Sequence, residues 1–322
     1  MAIFRGTRHR AGPLQLARDT TSAARWLIAC ALALGTAIAP AATASADTVR
    51  LKPVKTFRTS TFAPPSPDPS GIVYRPGRDR LLISDSEVDE TRRYRGRNLF
   101  TARRRGSGFG SGNLVRIGNR EPSDLGFNPR NGTLFASNDD KDRILRIRPG
   151  RDSLHGSPDD RVSAFSTARF GSTDPEGVEY DPATGRLFIC DGRDREVYAV
   201  DPVNGRFGDG NDRVTHFDVA RYGARDCEGL GIDRTGPHRL LAVDWTSRAI
   251  YKLNRRGRLL RKFSLAAIRT KRSVVADVTM APTSKRGDKP GHLSYWIVDR
   301  HIDNKNHPNE NDGLVHEMVV RR

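Results

Sequence analysis

One pattern recurs along this chain: an acidic residue, a short apolar run, a Pro/Gly turn, a second apolar run and a closing acid or amide. Its clearest copy is Asp174–Asp191, DPEGVEYDPATGRLFICD. Asp68–Asp85, Glu121–Asn138, Asp226–Asp244 and the looser Val274–Asp299 repeat it. Counted from Gly71, Asp124, Gly177, Gly229 and Asp277, the steps are 53, 53, 52 and 48 residues. A period near fifty means an array of similar units, each too small to bury a core alone.

The content of each unit predicts four strands. The first (a) is GIVY, DLGF, GVEY, GLGI or DVTM; the second (b) is RLLIS, TLFAS, RLFIC, LLAV or YWIV. These runs are too short for helices, rich in β-formers and bounded by turn residues. RILRI, EVYAV, AIYKL and LVHEMVV follow as strand c, and VSAFS, VTHFD and RKFSL as strand d. Repeat 1 is less regular, with NLFTA (98–102) and NLVRI (113–117) as its third and fourth strands. Four-stranded units arranged radially make an all-β fold, the β-propeller, which protects its sheet edges by closing on itself. The last repeat stops at strand c, and VKTFRTS (Val54–Ser60) matches the missing d strand, so an N-terminal strand is expected to close the ring. Five repeats predict five blades; a sixth, divergent blade would have few residues left to build it.

The first 46 residues read as a secretory signal. A basic n-region precedes an apolar run, Trp26–Ala39, and Ala44-Ser45-Ala46 supplies an A-x-A cleavage site. The run is shorter than the ~20 residues of a spanning helix, so a membrane anchor is the lesser alternative. Cleavage after Ala46 would leave residues 47–322 as a single propeller domain, exported from the cell. Five Arg and one Asp leave with the signal, so the net charge falls from +17 to +13. Such an excess favours an anionic small molecule or a cell-surface polymer as partner. The basic residues are scattered beside acids without an aromatic stacking set, which argues against nucleic acid. A monomer is expected.

Alternating strand direction puts the start of a, the end of b, the start of c and the end of d on one face. The residues leading into strand a are Asp68/Ser70, Glu121/Ser123, Asp174/Glu176, Asp226/Glu228 and Val274/Ala276. Those closing strand b are Asp85, Asn138, Asp191, Asp244 and Asp299. Carboxylates gathered at one rim repel unless a cation intervenes, and Ca2+ suits a site built of oxygens. An Asp closing every strand b is equally a structural signature, bonding nearby backbone N–H groups. Glu176 and Glu228 differ, because the matching positions elsewhere hold Ser or Ala; a ligand role is expected for these two.

The acidic-x-Glu-Gly opening of strand a and the L-F/L-x-x-D close of strand b resemble those of SdiA-regulated and NHL-type propellers, and more distantly the β-propeller phytase-like proteins. In the last group acids at these positions bind Ca2+ at the channel mouth. The resemblance implies Glu176, Asp191, Asp226, Glu228 and Asp244 as metal ligands. The basic and tyrosine positions that grip phosphate in those enzymes have no equivalent in this sequence.

Two long b–c connections, Ser86–Arg97 and Arg300–Gly313, overhang the same face from neighbouring repeats. Arg92, Arg93, Arg95, His301 and His307, beside Asp299, are ligand-face candidates that would meet an anion next to a cation. The c–d inserts Pro149–Asp160 and Asp201–Asp212 read as turns on the far face. With Cys30 removed, Cys190 and Cys227 form the one possible internal pair, a disulfide or two buried thiols. The expected function is a secreted propeller that binds Ca2+ at one channel mouth and a ligand or partner there. The alternative is a Ca2+-dependent hydrolase of anionic esters, phytase-like or a lactonase/esterase, with catalytic residues unassigned.

Overall fold

The structure is a computed structural model that describes residues 47–88, 91, 96–268, 272–289 and 291–320. The segment read as a signal, and Arg92, Arg93 and Arg95, lie outside the described residues.

Strands a to d of blade 1 are Pro69–Arg75, Arg80–Asp85, Leu99–Ala102 and Gly108–Gly112. Blade 2 holds Leu125–Asn128, Thr133–Asn138, Arg143–Arg148 and Arg161–Ser166. Blade 3 holds Pro175–Asp181, Arg186–Asp191, Glu196–Asp201 and Arg213–Asp218. Blade 4 holds Gly229–Asp233, Arg239–Asp244, Ala249–Leu253 and Leu259–Ser264. Blade 5 takes Val275–Pro282, Leu293–Asp299 and Leu314–Val320, completed by the N-terminal strand Thr48–Arg58. Within each blade the order is a-b-c-d and each pairing is antiparallel. Five blades, not six, make up the described residues.

Two details depart from the sequence reading. The closing strand starts and ends earlier than Val54–Ser60, and Thr59–Thr61 forms a 3-10 turn instead. Its first residues also pair in parallel with blade 4, from Thr48↔Lys262 to Arg50↔Ser264, so one strand seals two blades. NLVRI is not strand d of blade 1; that strand is GFGSG. Val115–Ile117 is instead a 3-10 turn ending on Gly118 at φ 82°, matching Ala168–Phe170 before Gly171 and Ala220–Tyr222 before Gly223. Each of these glycines ends its turn in the left-handed region that a side chain disfavours. The apolar run that mimicked a strand is thus the turn that blades 1, 2 and 3 use to reach the next.

Sheet alternation sends every strand's apolar residues into one of five clusters, each lying between adjacent blades. Phe188, Leu230 and Tyr251 pack blades 3 and 4, for example, and Phe100, Trp296 and Val315 pack blades 5 and 1. No blade has a core of its own, so each depends on two neighbours.

At the centre the inner strands meet through two buried carboxyls. Asp124 Oδ2 accepts from Val178 N at 2.7 Å and Leu230 N at 3.0 Å, in blades 3 and 4. Asp277 Oδ2 accepts from Ile72 N of blade 1 at 2.7 Å, and the two carboxyls hydrogen-bond each other. Two side chains therefore connect all five blades. They stand where the other repeats have Gly71, Gly177 and Gly229, and those glycines leave the space. A Cβ on Gly71 would lie 2.6 Å from Asp124 Cα, and one on Gly229 would lie 2.7 Å from Asp277 Cα.

Both carboxyls are fully buried. Burial raises both above the usual carboxylate range, and the negative Asp124 raises Asp277 further. Two carboxyls raised in this way are expected to hold one proton between them. Glu179, itself buried and also raised, faces Asp124, with Arg234 partly offsetting its charge. An acid whose value is raised on folding holds its proton in the native state. The stability it contributes is complete at low pH and is lost as pH climbs through the folded-state value. Tm is therefore expected to fall as pH rises from about 4, the ordinary carboxylate value, through neutrality. Asp277→Asn, which keeps a donor toward Asp124 but loses one acceptor, should cost about 1–2 kcal/mol and flatten that slope. Thermal melts across pH on both proteins check this; an unchanged slope in the variant counts against the shared proton.

Candidate functional site: an acidic channel mouth

The residue that closes strand b serves the blade in every repeat. Asp191 Oδ2 accepts from Ser172 Oγ, Thr173 N and Asp174 N, and its Oδ1 accepts from Asp194 N. Asp244 accepts from Arg225 N, Ser247 N and Ser247 Oγ. Asp85 accepts from Ser66 Oγ, Asp68 N and Glu87 N. Asn138 donates through Nδ2 to Gly118 O. Asp299 accepts from Val274 N and His301 N and lies 3.2 Å from His316 Nε2. The four aspartates latch the segment entering strand a to the turn leaving strand b, and Asn138 holds the entering segment alone. Of the five residues expected as ligands, Asp191 and Asp244 thus have their oxygens committed to the latch.

Two other positions face the opening and vary from blade to blade. One enters strand a: Ser70, Ser123, Glu176, Glu228, Ala276. The other follows the latch: Ser86, Asp139, Gly192, Trp245, Arg300. The first position brings Glu176 and Glu228 together from blades 3 and 4. Burial raises the Glu176 carboxyl well above its ordinary value, and Glu228, Asp139 and Asp174 add to the rise. Glu228 is pushed up to about 7 by burial and Asp226, with Arg300 opposing. Gly192 leaves the gap in which these groups gather. A Cβ there would lie 2.9 Å from Glu176 Cγ, 3.1 Å from Asp174 Oδ2 and 3.7 Å from Asp226 Oδ1.

Asp139, Asp174 and Glu176 each place one carboxylate oxygen within 4.8 Å of the others. Two oxygens on a common Ca2+ lie at most about 5 Å apart, twice the metal–oxygen distance, so this set fits such an ion. Asp139 was not among the ligands expected from sequence. It follows Asn138, which breaks the Asp pattern of the latch, and that substitution was the available signal.

Arg300 is the second residue missed. Its guanidinium lies 3.8 Å from Glu87 Oε1 and faces Glu176 and Glu228, which with Glu87 raise its pKa against the effect of burial. It begins the long b–c loop of blade 5. That loop folds over blade 1, where Asn304 N donates to Asp68 at 3.1 Å and Thr91 donates to Pro308 O at 2.8 Å. Burial and the nearby Asp85 and Glu87 push Asp68 up to about 9. His301 sits between Asp299 and Asp312, and His307 is exposed, its carbonyl accepting from Asn304. Neither histidine is part of the acidic group.

Cys190 and Cys227 form a disulfide with Cα atoms 5.9 Å apart, joining blades 3 and 4 inside their shared apolar cluster. It anchors the residues next to Asp191 and Glu228.

The fold and its acidic opening define a five-bladed β-propeller. No protein-family model matches the chain, and no curated protein matches it. Among solved structures, a catalytically inactive virginiamycin B lyase from Staphylococcus aureus with quinupristin is 13% identical, covering 80% of this chain and 68% of that one, with a TM-score of 0.42. A nidogen/laminin complex is 18% identical over 77% and 80%, TM-score 0.44, and a luciferin-regenerating enzyme 12% over 84% and 94%, TM-score 0.48. These likenesses concern the propeller fold alone.

Reduction of the disulfide, which closes a 37-residue separation, is expected to remove about 3–4 kcal/mol of stability. Denaturant melts with and without reductant test it. Asp191→Asn should lower Tm in the same way with or without calcium, since the latch and not a metal uses that side chain.

Proposed function

We propose that this chain is a secreted β-propeller that holds a divalent cation, Ca2+ first, at its acidic mouth and binds an anionic ligand there beside Arg300. The observation that carries this reading is the convergence of Asp139, Asp174 and Glu176 from blades 2 and 3, crowded by Glu228. Carboxylates this close and this poorly solvated raise one another's pKa, and a hard cation relieves that repulsion. Glu228, whose charge raises Glu176, stands beside the set. Export is supported by the N-terminal sequence and by a disulfide, which persists in oxidising compartments. The sequence resemblance to SdiA-regulated and NHL-type propellers fits a binding role. No helix of the described residues is long and apolar enough to cross a membrane.

Metal-stripped protein titrated with Ca2+ should show saturable heat, with Kd between about 10⁻⁵ and 10⁻³ M, and a rise in Tm. Asp174→Asn/Glu176→Gln should abolish both. Arg300→Met should lower Tm in calcium-free buffer and enlarge the calcium-induced rise, because it removes the buried positive charge that partly neutralises the group. No heat and no shift at ~10 mM Ca2+ would end the metal reading.

One observation favours a second reading, a Ca2+-dependent hydrolase of anionic esters. Glu228, pushed up to about 7, has the value of a working proton carrier, and Arg300 beside it would hold an anionic substrate. Chelator-sensitive turnover of p-nitrophenyl phosphate, phytate or a lactone, lost in Glu228→Gln, would establish it. Silence across that panel leaves the binding role.

A further inference from the structure

Away from the acidic mouth, the side of the ring that carries the a–b and c–d turns holds a site of the opposite sign. A cleft of about 740 Å³ opens between blades 2 and 3. Arg146 and Arg148 from strand c of blade 2, Arg161 from strand d and Arg130 from the a–b turn line one wall; Arg206 from blade 3 lines the other. The register explains the clustering. Phe135 pairs with Arg146, Arg146 with Ser163 and Arg148 with Arg161, so these side chains share one face of the sheet. The part of that face nearer the mouth, with Ile144 and Phe165, is buried core; the part nearer the turns is arginine.

The repeat does not require this. At the positions of Arg146 and Arg148, blade 3 has Ala199 and Asp201 and blade 4 has Lys252 and Asn254. Where blade 2 opposes Arg148 to Arg161, blade 3 opposes Asp201 to Arg213. Like charges directly opposite on a ladder destabilise the sheet. No ion pair offsets that cost: among the described residues Arg130, Arg148, Arg161 and Arg206 make none. Arg146 donates to Ser163 Oγ at 3.0 Å; burial and the nearby Arg148 lower its pKa, with Asp212 and Asp209 opposing. Of the surrounding acids, Asp201 pairs with Arg186 and Asp209 accepts from Asn204 and Asn211, while Asp212 accepts from Gly208 N through one oxygen and leaves the other without a partner. Thr133, 3% exposed on the same wall, has a hydroxyl with no hydrogen-bond partner.

We propose that this cleft binds a multiply charged oxyanion, carried as phosphate or sulfate groups along a polymer. Guanidinium forks match the paired oxygens of such groups, and Thr133 supplies a free donor. An extended ligand fits because Arg148 and Arg161 also line the adjoining groove with Arg151 beyond them; the one acid there, Asp159, accepts from Arg151 N and Ser157 Oγ. The site is independent of the mouth and of calcium.

The test uses the intact protein at ~150 mM salt, where diffuse surface attraction is screened. Inorganic tripolyphosphate, long-chain polyphosphate and heparin serve as probes. At least one is expected to bind saturably, and Arg148→Gln/Arg161→Gln should weaken it roughly tenfold or more. The same variant should melt higher without probe, since the opposed charges are gone. Arg206→Gln, on a turn outside the ladder, should weaken binding without altering Tm. Arg256→Gln/Arg258→Gln removes the same charge from the c–d turn of blade 4 and should change affinity by less than about twofold. Competition by tripolyphosphate marks recognition of a short oxyanion, and binding of a polymer alone marks several subsites; each supports the proposal. No saturable binding of any probe, or equal losses in the two double variants, overturns it.

Discussion

The ring is held at its axis by two buried carboxyls that face each other and accept from the inner strands. Asp124 and Asp277 are far apart in sequence, yet together they accept backbone N–H bonds from blades 1, 3 and 4 and themselves belong to blades 2 and 5. Among the described residues neither forms an ion pair. Two ionised carboxylates here would repel in a poorly polarisable interior, and two neutral ones would accept less strongly from the inner strands. One proton for the pair satisfies both demands. The apolar clusters between blades give cohesion, but they are non-directional; this pair sets how the five inner strands meet.

That arrangement leaves the strand ends at the mouth free to differ. Each blade spends one side chain, the residue closing strand b, on fastening the segment that enters it. The position entering strand a and the one after the latch are then unconstrained by the repeat, and they hold Ser, Ala, Glu, Asp, Gly, Trp or Arg. The opening is acidic on the side of blades 2 to 4, with Arg300 reaching in from blade 5. The turns of blades 2 and 3 on the opposite side carry unpaired arginines. The acidic cluster and the arginine cluster therefore lie at opposite ends of the strands, and a cation and a polyanion would have no cause to compete for one site.

The repeat length, the short apolar runs and the terminal strand d specified the propeller and its closure, because alternation and turn chemistry are local and survive in a single sequence. One local reading failed for the same reason: NLVRI has a strand's apolarity, and only the glycine turns of blades 2 and 3 show it to be a connection. The Asp at the close of strand b was visible in four of the five repeats, but whether it binds metal or backbone depends on which N–H groups lie within reach. Those groups belong to the segment entering the blade, and its approach is set by packing.

What the sequence determined by itself was the number of units, the order of strands and which residue types stand at the rim. Only the tertiary structure decided which rim residues face one another. Asp139, Asp174 and Glu176 come from two blades, Arg300 from a third, and the central aspartates from repeats on opposite sides of the count. Their meeting depends on the angle at which each sheet follows the last, which follows from the packing of five cores and is written in no single repeat.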